Sequence, residues 1–187
     1  MRLLHAIVLL LFILIPPAIY FSLNLIQPRY FCLALIAVFA LRMLPGWIQN
    51  RDSSAFMLWS LLMMAALVTI AISDSTFALL LYPVVMNIGF LILFLYSLVV
   101  PPSMIEQIAR LHEADLPESG VRYTRKVTMV WSVFFLFNGC IAAWTVWRGD
   151  YALWGLYNGL VAYLLMGVLM IAEYWVRSQV RKTFKNE

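Results

Sequence analysis

PPSMIEQIARLHEADLPESGVRYTRKVTMVWSVFFLFNGCIAAWTV, residues 101–146, holds the polar-to-apolar boundary that decides the fold. The proline pair stops whatever helix precedes it, because proline lacks a backbone donor and its ring clashes with the preceding turn. A charged segment follows, the longest polar stretch in the chain. From Val127 it gives way to an apolar, aromatic run with no charge until Arg148. A run of that length and composition is long enough to cross a bilayer as a helix.

Working outward, the same kind of run recurs on both sides. Apolar segments at 3–23, 30–44, 55–72 and 77–100 precede the quoted stretch, and 151–176 follows 127–147. The chain has 187 residues, 64% of them apolar and 12% charged. Soluble domains carry about 25% charged residues. The expected fold is therefore all-α, a polytopic membrane bundle of six transmembrane helices in one integral membrane domain. The first run lacks a small-residue cleavage site and is interrupted by Pro16 and Pro17, so it reads as a kinked span rather than a leader. Cys32 and Cys140 sit in apolar runs without partner spacing and read as small packing residues.

Six spans put both termini on one side. Only Arg29 and Arg148 then fall on the opposite side, and the other eleven of the 13 basic residues lie with the termini. Lys and Arg mark the cytoplasmic face. The sequence thus predicts a membrane protein with both termini, the loop 101–126 and the tail 177–187 in the cytoplasm.

Within that loop, Met104, Ile105, Ile108 and Leu111 alternate with Glu106, Gln107, Arg110 and His112 at helical spacing. Ser103 and Glu106 match a capping box. A short amphipathic helix with its apolar edge in the headgroup region is expected. LPESG, 116–120, reads as a turn. Arg122, Arg125 and Lys126 then stand at headgroup depth, where they would fix orientation or contact an anionic lipid.

Polar side chains inside lipid need partners. Asn87, Asn138 and Asn158 fall at one depth in the outer half of the bilayer and are expected to form a hydrogen-bonded layer. Its role is either helix adhesion or a small polar or headgroup site. Gly155 and Gly159, with the small-residue edge Ser132, Gly139 and Ala143, predict that 127–147 and 151–176 pack as a hairpin. Glu173 and Arg177 have the favourable order for an i, i+4 ion pair. His5 and His112 have no ligand spacing, and no hydrolase, phosphate-loop or dinucleotide motif occurs. No cofactor, metal or nucleic-acid partner is expected. Membrane lipids are the expected partners.

The segments YPVVMNIGFL (82–91), PPSMIEQIARLHEADLP (101–117), RYTRKVTMVWSVFFLFNG (122–139) and WGLYNGLVAYLLMGVLMIAEY (154–174) resemble a family of small bacterial inner-membrane proteins. These are often encoded beside aryl-polyene or fatty-acid-type biosynthesis enzymes. More distantly, the proline-flanked polar segment leading to W-x-x-F-F, here Trp131, Phe134 and Phe135, is similar to the intracellular septation protein A family. The resemblance implies an accessory or scaffold role in envelope or lipid-type biosynthesis, with cytosolic or membrane biosynthetic enzymes as partners. A small lipid or metabolite transporter, and a membrane enzyme acting on a lipid, are the alternatives.

Overall fold

The computed structural model describes residues 54–73, 75–111, 113 and 115–184, with Leu33, Ile36, Ala37 and Ala40 from the earlier part of the chain. Apart from those four positions, the spans expected at 3–23 and 30–44 lie outside the described residues. The described residues are helical throughout their regular elements, with no strand among them. They form α1 (Ser54–Ser73), α2 (Thr76–Leu80), α3 (Tyr82–Val99), α4 (Met104–Arg110), α5 (Glu118–Arg148), α6 (Tyr151–Leu156) and α7 (Ala162–Phe184). A π-helical turn, Tyr157–Val161, joins α6 to α7. Three stretches, Tyr82–Val99, Glu118–Arg148 and Tyr151–Val180, are long and apolar enough to cross a membrane.

The apolar run 77–100 is not one helix. It breaks at Leu81, and Pro83 stands in the first turn of α3. Proline is tolerated there because its missing N–H would be unpaired anyway. The indole of Trp154, from α6, donates to the Leu80 carbonyl at the break, 3.0 Å away. Trp154 is 1% exposed and anchors a core with Ile70, Leu79, Leu80, Tyr82, Met86 and Val146. Ile36 packs against the edge of that core. Ser75 caps α2 through the Ala78 N–H.

α5 starts nine residues earlier than the apolar run, so the expected turn at 116–120 is a correction: only Leu116 and Pro117 precede the helix. Its polar first turns read as loop because they carry no apolar stripe, yet the stretch contains no residue that stops a helix. At 1.5 Å per residue α5 is about 46 Å long, against about 30 Å of hydrocarbon, so its first turns project beyond the lipid. Gly149, with φ 68°, ends it in the left-handed conformation that glycine adopts without strain. Asp150 then caps α6, accepting from the N–H groups of Ala152 and Leu153 at 2.9 and 3.1 Å.

The packing is inverted relative to a soluble protein. α5 buries Gly120, Thr124, Thr128, Ser132, Asn138, Gly139, Ala142 and Thr145. It exposes Val133, Phe137, Trp144 and Trp147. Apart from Val127, Phe135 and Val146, which are buried too, small and hydrogen-bonding residues of α5 face the protein while large apolar ones face outward, which is the pattern of a membrane protein. Cys140 also faces outward, which corrects its reading as a packing residue.

The principal partner of α5 is α3, not the last helix. Phe135 stacks on Phe90 and meets Phe94 edge-on, both at 5.1 Å between ring centroids. A Cβ placed on Gly139 would come within 3.0 Å of Asn87 Cβ in α3. The Gly139 edge thus serves a helix pair other than the expected hairpin. In that edge Ala142, fully buried, does what was expected of Ala143. Of the glycines expected to face α5, Gly155 is buried and Gly159 half-buried.

Candidate functional site

Two polar constructions stand out. The first lies where α3, α5 and the π turn meet. The Tyr157 hydroxyl donates to Asn138 Oδ1 at 2.8 Å. Asn138 Nδ2 donates to Asn87 Oδ1 at 3.0 Å, and Asn87 Nδ2 donates to the Pro83 carbonyl at 2.7 Å. The donors all point one way along this chain. The expected layer is only partly of this form. Asn158 does not bond to the other two amides. Its Nδ2 donates to Thr145 Oγ1 at 3.1 Å and to the Trp154 carbonyl at 3.0 Å. Tyr157, the first residue of the π turn, rather than Asn158 is the residue that meets Asn138. Tyr157 and Thr145 were not singled out by sequence. The hydroxyls amid apolar residues were the available signal.

The second construction is at the other end of α3 and α5. α4 is docked by its N-terminus. The Met104 N–H donates to Ser97 Oγ at 2.9 Å, and the Ile105 N–H donates to Thr128 Oγ1 at 3.2 Å. A helix leaves its first N–H groups without internal partners, and here neighbouring helices supply the acceptors. Glu106, 6% exposed, accepts from Arg110 Nε and Nη2 at 2.9 and 2.8 Å through one oxygen. Its other oxygen accepts from the Ser103 N–H at 3.3 Å, which is one half of the expected capping box. Ser103 Oγ is buried without a partner. The buried edge of α4 is Ser103, Glu106 and Ala109, and its apolar residues Ile108 and Leu111 face outward. Ser97 and Thr128 were not foreseen, since each makes its contact across helices, and neither was the burial of Glu106.

The three expected cations separate. Arg125 Nη1 donates to the Leu98 carbonyl, 2.9 Å away, at the end of α3. Arg122 and Lys126 are exposed on another face of α5. No ion pair joins Glu173 and Arg177 among the described residues, which corrects that expectation. The hydroxyl of Tyr123 instead reaches the backbone carbonyl of Glu173 at 3.3 Å and its Oε1 at 3.5 Å. The carboxylate is drawn across to α5 rather than along its own helix. The i, i+4 ion pair forms in α4, between Glu106 and Arg110.

Comparison with family models, curated proteins and solved structures finds no match to this chain. What the two constructions do must therefore be read from their chemistry. The amide chain has its groups engaged by one another, which is adhesion between helices. The docked α4 makes a fixed platform at the end of the bundle. Among the described residues no three His, Cys, Asp or Glu side chains come together as a metal site requires.

Proposed function

We propose that the protein is a multi-pass accessory or scaffold protein of the bacterial inner membrane, serving cell-envelope or lipid/polyene-type biosynthesis. It spans the membrane six times, with both termini and the 101–126 segment in the cytoplasm. The family resemblance of 82–174 supplies the context, and the distribution of basic residues supplies the orientation. The observation that carries the reading is the docked α4. Its backbone is tied to Ser97 and Thr128, while Ile108 and Leu111 stay exposed, 45% and 77%, as a contact surface. A transporter is less well supported, because the intramembrane amides are bonded to one another or to neighbouring hydroxyl and carbonyl groups.

In-cell cross-linking and purification of the full chain tests this. Cytosolic or membrane enzymes that act on acyl chains should be enriched with the wild type. Changing Ile108 and Leu111 to Ser should reduce that enrichment, while Asn138→Ala should leave it in place wherever the protein accumulates normally. Loss of function in Asn138→Ala at normal protein level, with enzyme capture unchanged in the Ile108 and Leu111 variant, would favour transport instead. A reporter fused to the C-terminus should be active only as a cytoplasmic fusion.

A further inference from the structure

We propose that Arg122 and Lys126 of α5 bind the phosphate of an anionic membrane phospholipid, whose acyl chain lies along Val133 and Phe137. The inference requires the membrane placement of α5 and its cytoplasmic N-terminal end, but not the scaffold role.

The geometry starts from helical spacing. Arg122 and Lys126 are one turn apart on the same face, and residues at this spacing are neighbours on a helix surface. Continued along the axis, that face carries Val133, Phe137 and Trp144, which are 53%, 63% and 47% exposed. The opposite face holds the buried Thr124, Thr128, Phe135 and Ala142. The two cations thus stand directly above an unbroken apolar strip that no described part of the protein covers. Arg125 points elsewhere, to the end of α3, and is not part of the site.

Depth fits as well. From Lys126 to Arg148 the helix rises about 33 Å, close to the ~30 Å hydrocarbon thickness. At the far end Arg148 lies over Trp144, 5.9 Å from the ring centre, where aromatic and basic residues mark an interface. With that end at one boundary, Lys126 reaches the other. Arg122 lies one turn further out, about 6 Å. Two cations at phosphate depth, neither paired with a described residue, favour a headgroup of net negative charge over a zwitterionic one. Glu118 is one turn beyond Arg122 but forms no ion pair with it within 4.0 Å.

The test is native mass spectrometry of the full-length protein in detergent, with phosphatidylglycerol or phosphatidylcholine added. The wild type should retain phosphatidylglycerol preferentially. Arg122→Gln and Lys126→Gln should each weaken retention roughly fivefold, and together more than tenfold. Arg125→Gln should keep the preference, as should the charge-preserving pair Arg122→Lys and Lys126→Arg. Inorganic phosphate should not displace the lipid, since the apolar strip holds the chain. Equal retention of the two lipids by the wild type overturns the proposal without recourse to any variant. So does an unaltered preference in the double Gln variant, an equal loss in Arg125→Gln, or a loss in the charge-preserving pair. Displacement by phosphate would reassign the site to a free anion.

Discussion

At the scale of single residues, Asn138 ties α5 both to α3 and to the π turn. It donates to Asn87 and accepts from Tyr157. Replacing it with Leu leaves two buried or half-buried groups without their partner. The cost should be about 1–2 kcal/mol, above the mean of about 0.6 for a single intramembrane hydrogen bond, because two bonds are lost together. A lowered midpoint in detergent-denaturant unfolding checks this, and a midpoint equal to the wild type would show that the chain of amides carries no stability. Gly139 and Gly167 make a second, paired prediction. An added methyl at Gly139 meets Asn87 Cβ at 3.0 Å, whereas nothing lies within 4 Å at Gly167. Gly139→Ala should therefore destabilise by about 1–3 kcal/mol, since neither helix backbone can yield cheaply. Gly167→Ala should be neutral or stabilising by up to about 1 kcal/mol, because alanine is the better helix former. Thermal shift of both variants in one detergent decides it.

At the scale of elements, much was legible because apolar runs, prolines and capping residues act locally. Ser54–Ser73 is nearly coextensive with its apolar run, and Gly149 and Asp150 form the turn their chemistry indicates. What was hidden depends on other helices. Pro83 reads as one more apolar residue in 77–100 until the break at Leu81 is seen with Trp154 bonded beside it. The partner of Glu173 could not be read from i, i+4 spacing, because Tyr123 comes from a helix fifty residues away in sequence. The small-residue edges suggested that 127–147 and 151–176 pack as a hairpin, yet at Gly139 the small-residue face of α5 turns to α3. Trp154→Phe tests one of these hidden contacts. It removes the N–H to Leu80 and, because Phe is the smaller side chain, leaves part of the buried site unfilled. A loss of about 2–4 kcal/mol is expected, with helix content by circular dichroism unchanged. A loss of helix content would mean that the indole holds the break itself together.

At the scale of the whole molecule, the inverted packing sets how the protein comes apart. Its helices carry their backbone hydrogen bonds within themselves and are held to one another by small residues, hydroxyls and amides. Heating in detergent should therefore abolish the near-ultraviolet signals of Trp131 and Trp154 before far-ultraviolet helicity falls. Simultaneous loss of both would instead indicate that helix formation and helix association are one transition here. The same inversion explains why the class of molecule was readable at once while the site was not. Composition reports the solvent, and lipid selects apolar surfaces everywhere. It says little about which few polar groups will meet inside.

The π turn at Tyr157–Val161 has a consequence for descent. Such a turn arises when a helix accommodates one extra residue without losing its ends. It sets everything after Val161 back by about 100° and about 1.5 Å relative to an uninterrupted helix of the same residues. Tyr157 at its start and Glu173 after it both meet α5, and that offset sets their relative register. A homologous chain with a one-residue gap within 157–161 would restore regular winding and lose one of these two meetings. Such a gap should be accompanied by a change at Tyr123 or at Asn138, and that paired change would be the trace of the insertion in ancestry.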